Sequence, residues 1–207
     1  MFFYLGIDLG QRRDNTAIAI VEKIETRTPW GTEFQSLHCR HAERVPLGTP
    51  YALVVERVKQ IIQTQPLRDN CAIAVDATGV GAPVVEMMRR AGLGCDISAV
   101  TITGGGTASS VGDKHNVPKA DLWAGITIML ERDELRISTQ MPCATTLARE
   151  LAGISAVTLE APPGGRDDLA IALALAVWKA RRSGFNIGVG PKRADTYDPV
   201  LRYHYRL

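Results

Sequence analysis

The 207-residue sequence lacks the features that mark membrane, secreted and zinc-binding proteins. None of its apolar runs reaches the roughly 18 residues that a membrane-spanning helix needs. The N-terminal stretch has neither the basic start nor the cleavage site of a secretory signal, which predicts a cytoplasmic protein. The four cysteines are scattered without a CxxC pair, so buried free thiols are favoured over disulfides or a zinc site. The sequence has no internal repeat and indicates a soluble globular protein.

Composition and charge predict one domain with a basic tail. Hydrophobic residues make up 45% and charged residues 22% of the chain, which is ordinary for a globular protein. Residues 179–207 contain seven Lys or Arg and two Asp, whereas the rest of the chain is mildly acidic. We expect a domain over residues 1–184 and a basic C-terminal tail over 185–207. Such a tail suits contact with a polyanion, and a tail that only aids solubility explains the charge equally well.

The apolar runs predict an α/β domain built on one mixed sheet. The first three strands form an antiparallel meander, and a crossover helix returns the fourth strand parallel to the first. The glycine-rich stretch 104–118 has no periodicity and is predicted as a loop. The predicted strands are 2–8, 16–22, 33–44, 71–76, 96–103, 134–138 and 154–159, and the predicted helices are 51–64, 83–91, 119–132, 142–152 and 167–183. This is the element order of a ribonuclease H-like domain, with strands 1–3 antiparallel, strands 4 and 5 parallel, and helices flanking the sheet.

Acidic residues stand where the predicted topology converges. Asp8 ends the first strand, and Asp76 ends the fourth, which lies beside it in the predicted sheet. Asp167 and Asp168 open the last helix, whose apolar residues predict burial against the sheet. We therefore expect these carboxylates to meet in one crevice at the carboxyl ends of the strands.

The expected carboxylate cluster predicts a metal centre. Converging carboxylates repel each other, and a cation compensates them. Oxygen ligands without His or Cys favour Mg²⁺ or Mn²⁺. Two such ions about 4 Å apart can activate a water and stabilise the leaving oxygen of a phosphodiester. In this hypothesis Asp8 bridges the two ions, Asp76 holds one, and Asp168, with Asp167 beside it, holds the other.

Each acid also has a purely structural interpretation. Asp8 and Asp76 can be turn residues after a strand, and an acid at the start of a helix can be a cap. For Asp167 the cap is the better interpretation, and for Asp168 the site is. The elements taken together favour a site more strongly than any one of them.

The chain resembles the nuclease domain of the large terminase subunit of tailed phages and, more distantly, the RuvC-type junction resolvases. The resemblance extends to about Ser183, and its matching stretches are Gly6–Gly10 with Asp14–Ile18, Val75–Pro83 and Gly165–Ala174. It implies a ribonuclease H-like fold and an endonuclease, encoded by a phage or prophage, that uses divalent metal ions. It also implies that the substrate is concatemeric double-stranded DNA, cut during genome packaging. The implied partners are an ATPase motor domain, the portal and the small terminase subunit.

The resemblance places the acidic cluster of that family on Asp8, Asp76 and Asp168, with Asp167 adjacent. Related proteins often carry a further acid one helical turn later, where this chain has Ile171. The chain also has no GxxxxGK[ST] loop for an ATPase motor. It is therefore expected to be a nuclease domain of a longer protein or a stand-alone relative.

Basic residues near these motifs are candidate contacts to DNA phosphates. They are Arg12 and Arg13 after the first strand, and Lys114 and Lys119 beside the glycine-rich stretch. For any single one of them, ordinary solvated charge is the simpler interpretation.

Two other functions remain open on the sequence. Gly6–Gly10 and Asp76–Gly79 are also similar to the phosphate loops of actin-like and sugar-kinase ATPases, which normally need two such domains. A dinucleotide site at Gly79–Gly81 lacks the third glycine of that motif. The non-enzymatic alternative is a DNA-binding or assembly module whose carboxylate cluster is catalytically weak, and Ile171 keeps it open.

Overall fold

The computed structural model describes residues 1–10, 14–27, 33–79 and 81–183. Arg12, Arg13 and the predicted basic tail 185–207 lie outside these residues. Within the described ranges, no helix has both the length and the apolar character needed to cross a membrane.

One mixed eight-stranded sheet organises the chain. Its order is β6-β7-β5-β4-β1-β2-β3-β8, so the first strand lies near the centre. β1 pairs with β2 in antiparallel fashion and with β4 in parallel, and β4 continues in parallel to β5. The strands are Phe2–Asp8 (β1), Ala17–Arg27 (β2), Glu33–Arg44 (β3), Cys71–Asp76 (β4), Asp96–Thr103 (β5), Ser109–Val111 (β6), Lys114–Pro118 (β7) and Leu135–Ile137 (β8). The predicted antiparallel strands 1–3 and parallel strands 4 and 5 are confirmed.

Helices cover both faces of the sheet and enclose two hydrophobic cores. The helices are Tyr51–Gln63 (α1), Gly81–Arg90 (α2), Lys119–Glu131 (α3), Ala144–Gly153 (α4) and Asp168–Arg182 (α5). α1 and α2 pack on one face, and α3, α4 and α5 pack on the other. β1 serves both cores because alternate side chains of a strand point to opposite faces. Leu5 and Ile7 join the core under α1 and α2, whereas Tyr4 joins the core under α5.

α5 is the most deeply buried helix of the described chain. Every residue from Leu169 to Val177 is buried, which confirms the burial predicted from its apolar sequence. Its small side chains let the helix backbone approach β1 closely. A Cβ added to Gly6 would lie 1.8 Å from the carbonyl oxygen of Ala172 and 2.6 Å from the backbone nitrogen of Ala176. Gly6 is therefore required for this contact.

The predicted loop 104–118 is right for residues 104–108 and wrong for 109–118, which form the β6–β7 hairpin. β7 adds to β5 in parallel, and β6 folds back on β7 through a turn at Gly112, whose φ is 60°. Asn116 Nδ2 donates to Ser109 Oγ across the hairpin at 3.0 Å. The three residues of β6 are all exposed, so this strand has no buried face to produce apolar alternation in the sequence.

The predicted strand 154–159 is also wrong. The Ser155 hydroxyl accepts bonds from the backbone nitrogens of Val157 and Thr158, at 3.3 and 3.2 Å, and holds the chain in a turn. Leu159 has a φ of 58°, and Val157 is 91% exposed. The Ser155 hydroxyl thus stabilises a surface turn in residues 154–159, and these residues do not pair with the sheet. Smaller differences concern ends, since β2 extends to Arg27 and α2 begins at Gly81.

We predict that Gly6→Ala lowers the free energy of unfolding by about 3 kcal/mol, because the new methyl group has to displace the α5 backbone. Urea denaturation measures the change. The matched control is Gly105→Ala, since a Cβ there has no neighbour within 4 Å, and it should shift stability by less than about 0.5 kcal/mol. Equal stability of the two variants would contradict the contact.

Candidate carboxylate site

Asp8 and Asp76 lie side by side where two neighbouring parallel strands end. Ile7 pairs in register with Val75, so the next residue of each strand is an aspartate. Asp8 follows Tyr4 and Gly6 at the spacing of the strand face that packs against α5. The register of β1 and β4 therefore delivers two carboxylates to one edge of the sheet, beneath the start of α5.

The start of α5 completes the cluster. Asp168 is the first residue of the helix and is only 5% exposed. Burial raises the pKa of Asp8 well above its usual value, and the negative charges of Asp76, Asp168, Asp167 and Asp14 add to the rise. The three predicted elements therefore form one electrostatic unit, to which the structure adds Asp14 from the segment after β1.

The turn after β4 holds the Asp76 side chain. Its Oδ1 accepts a hydrogen bond from the backbone nitrogen of Thr78 at 2.8 Å. The Thr78 hydroxyl in turn accepts from the backbone nitrogen of Ile102 at 3.0 Å, which ties the turn to β5. Burial raises the pKa of Asp76, and the hydrogen bonds from Thr78 oppose that rise. Asp76 thus combines a turn contact with a place in the cluster.

Asp167 occupies the N-cap position of α5 but makes no capping hydrogen bond with its side chain. Its Oδ2 lies 3.5 Å from Lys119 Nζ, which also pairs with Glu160 at 2.9 Å. The predicted phosphate contact Lys119 therefore stands at the carboxylate cluster, with its charge already engaged by two acids.

The helix start is capped instead by Glu150, a buried residue of α4. Glu150 Oε2 accepts from the backbone nitrogen of Ala170 at 3.0 Å, and Oε1 pairs with Arg44 Nη2. Arg44, the last residue of β3, also places Nε 3.2 Å from Asp168 Oδ2. Arg44 and Glu150 were missed from the sequence. The sequence offered one signal for Glu150: a charged residue lies three positions after Leu147, on the apolar face of the same helix.

The donor chemistry of the site fits a hard divalent cation. Its donors are carboxylate oxygens crowded around Asp8, and the buried Asp168 Oδ2 has no hydrogen-bond donor despite its ion-pair distance to Arg44. Within the described residues, however, no three His, Cys, Asp or Glu side chains are arranged to hold a metal ion. Asp76, Asp167 and Asp168 instead contact Thr78, Lys119 and Arg44. Carboxylate donors are therefore present at this place, and three of them have protein partners.

Other predicted residues lie away from this edge. Lys114 opens β7, two strands from Asp76 in the sheet, and is exposed. Ile171, the position of the missing further acid, is 6% exposed and belongs to the core under α5. The cavity between the β6–β7 hairpin, α3 and α5 has a volume of about 370 Å³ and is not lined by the aspartates of the cluster. Asp8 and Asp76 instead lie at the carboxyl ends of two central strands of the sheet.

Sequence comparison gives no relative, since no protein-family model and no curated protein matches the chain. Structure comparison does find similar proteins. The chain is similar to the human cytomegalovirus terminase nuclease domain, with 13% identity over 86% of this chain and 84% of that one and a TM-score of 0.54. The manganese-soaked, inhibitor-bound form of that domain gives a TM-score of 0.55 at the same identity and coverage.

A phage protein has the same architecture. The large terminase nuclease domain of bacteriophage SPP1, solved with bound manganese, is 12% identical over 87% of both chains, with a TM-score of 0.53. These likenesses cover most of each chain. They establish that this protein has the ribonuclease H-like fold predicted from its element order, and at such low identity they concern the fold alone.

We predict that Asp8→Asn stabilises the metal-free protein at neutral pH by about 1 kcal/mol. Because the pKa of Asp8 is raised in the folded state, protonation of this carboxyl stabilises the fold. That stability is complete below the ordinary pKa of 3.8 and is lost as the pH rises through the folded value. Asparagine resembles the protonated form, so the advantage of the variant should grow with pH.

Urea denaturation in EDTA at several pH values between 4 and 8 measures this difference. Asp133→Asn is the control, because that side chain is 81% exposed and lies outside the cluster. A stability difference between wild type and Asp8→Asn that does not change with pH would contradict the electrostatic coupling.

Proposed function

We propose that the protein is a metal-dependent endonuclease that hydrolyses phosphodiester bonds of double-stranded DNA. The observation that carries the proposal is the convergence of Asp8, Asp76 and Asp168 at one sheet edge beneath a buried helix start. A buried carboxylate whose pKa is raised by neighbouring acids, placed at a strand end, is typical of functional sites. The likeness to terminase nuclease folds supports this choice among the functions open to the site.

Mg²⁺ or Mn²⁺ is the proposed cofactor, with two ions in the full site. In this proposal Asp8 would contact both ions, Asp76 would hold one, and Asp168 with the adjacent Asp167 would hold the other. The manganese reported with the cytomegalovirus and SPP1 domains supports this metal class. Bound divalent ions lower the pKa of water and neutralise charge on the phosphate, which is the chemistry that the cluster lacks by itself.

The chain's own residues position the reacting groups. The β1–β4 register fixes the spacing of Asp8 and Asp76, and the turn bond from Thr78 orients the latter. Lys119, beside Asp167, would contact a DNA phosphate by exchanging its pairs with Asp167 and Glu160 for that phosphate.

The biological substrate proposed for this activity is concatemeric phage DNA, cut during genome packaging. An ATPase motor domain, the portal and the small terminase subunit are the corresponding proposed partners. Phosphate contacts from Lys119, Lys114, Arg12 and Arg13 would position the duplex without reading its sequence.

A DNA-binding or assembly module of the same fold is the second candidate. It is favoured by one observation, the engagement of Asp76, Asp167 and Asp168 by protein partners in place of a three-ligand group within the described residues. Such a module binds DNA and leaves it intact with every metal.

We expect the purified protein to nick supercoiled plasmid in Mn²⁺ or Mg²⁺ and to leave it intact in EDTA. Asp8→Asn and Asp168→Asn should each reduce the nicking rate by about 100-fold or more, because each removes a charged ligand. Gel electrophoresis of the plasmid measures the rate, and DNA binding by the variants is measured in parallel.

The control for nicking is Asp133→Asn, an exposed acid outside the site that should keep the wild-type rate. Intact plasmid with either metal, together with retained DNA binding, would favour the binding module. Nicking that survives both site substitutions would show that a contaminating nuclease or another site is responsible.

A further inference from the structure

We infer that Arg44 is a positioning residue that sets the affinity of the second divalent ion by competing with it for Asp168. The inference rests on the proposed metal site. It concerns this chain's own Arg44, Glu150 and Asp168, which come from three different elements of the fold and meet at the start of α5.

Arg44 is delivered to the cluster by strand register. It pairs with Ala17 of β2, and Ala17 pairs with Asp8 of β1, so Arg44 and Asp8 belong to one row across the sheet. The Arg44 side chain is 24% exposed, and its two acid partners are buried, with side-chain exposures of 5% for Glu150 and 6% for Asp168. One guanidinium therefore faces two buried carboxylates.

The two carboxylates are not held equally. Glu150 Oε1 takes the hydrogen bond from Arg44 Nη2, and its Oε2 takes the one from the Ala170 backbone nitrogen. Asp168 Oδ2 lies 3.2 Å from Arg44 Nε, yet neither atom has a hydrogen-bond partner. The Arg44–Asp168 contact is thus an ion pair of incomplete geometry, from which Asp168 can be released.

Release of Asp168 is what a second ion requires. A cation that binds Asp168 would stand close to the guanidinium, and like charges at that distance repel strongly in a partly buried site. Among the described residues, no ion pair joins Asp8 or Asp76 to a cationic side chain, so within this part of the chain the first ion meets no comparable competitor. The two ions should therefore bind with different affinities.

Charge removal at the two partners of Arg44 should act in opposite directions. Arg44→Gln removes the competing cation, so the second ion should bind about tenfold more tightly. Glu150→Gln keeps an oxygen that can accept from Ala170, but it removes the charge that shares Arg44. The guanidinium then pairs with Asp168 alone, and the second ion should bind about tenfold more weakly. The dissociation constant of the first ion should change by less than about threefold in both variants.

Binding of Mn²⁺ alone, without DNA, tests this. Titration followed by the electron paramagnetic resonance of free Mn²⁺ gives the number of ions and both dissociation constants, and the Mn²⁺-induced rise in melting temperature provides a second readout. Arg44→Lys retains the competing charge, so the dissociation constant of the second ion should shift less in this variant than in Arg44→Gln. Asp133→Asn is the control outside the site.

Opposite shifts of the second dissociation constant in Arg44→Gln and Glu150→Gln support the inference. Weaker binding of both ions in both variants would indicate a merely structural network and would overturn the inference. Unchanged dissociation constants would also overturn it. If Arg44→Gln does not fold, Glu150→Gln decides, and an unweakened second ion overturns the inference. Absence of Mn²⁺ binding in the wild type and all variants would overturn the proposed metal site and this inference together, whereas two ions with unshifted constants would overturn only the inference.

Discussion

The backbone contact between α5 and β1 at Gly6 is the constraint on which the site depends. α5 runs from the carboxyl end of β1 towards its start, where Lys23 of β2 contacts the carbonyl oxygens of Ala180 and Ser183. Starting from the contact of Gly6 with Ala172, Asp8 lies two strand residues away, about 7 Å. Asp168 lies one helical turn before Ala172, about 6 Å in the same direction. The similar lengths bring the strand carboxylate and the helix carboxylate to one level.

Placing several carboxylates close together costs electrostatic free energy, and the nearby cations offset only part of this cost. Burial raises the pKa values of Asp8, Asp76 and Asp168, and neighbouring carboxylates add to the rise at Asp8 and Asp168. The compensating cations include Arg44 and Lys119, each of which is shared between two acids, and Arg166, whose charge lowers the pKa of Asp168. A cluster left short of positive charge is unfavourable for the stability of the free protein and favourable for binding a cation. The carboxylate cluster therefore lowers the stability of the free protein while serving the proposed function.

The sequence predicts the parts of the fold that are governed by local pattern. β1 and β4 are short apolar runs ending in an acid, and α5 is apolar on all sides, so their types and burial follow from residue order. Arg44 and Glu150 could not be placed in this way, because they are 106 residues apart and meet only through tertiary packing. The β6–β7 hairpin and the turn at Ser155 were missed for a related reason. Their side chains are largely exposed, so hydrogen bonds rather than burial determine their conformation.

Neither Ile171 nor Glu150 provides the further acid that related proteins often carry one helical turn after the helix acid. Ile171 is buried in the core one turn after Asp168, where a carboxylate would face apolar side chains and lose hydration. Glu150 brings an acid to the same helix start, but one oxygen is engaged by the Ala170 amide and the other by Arg44. Its contribution is to anchor α5 and to share the guanidinium with Asp168. Arg44 is therefore divided between Glu150 and Asp168, and this is the arrangement from which we infer its competition with a second ion.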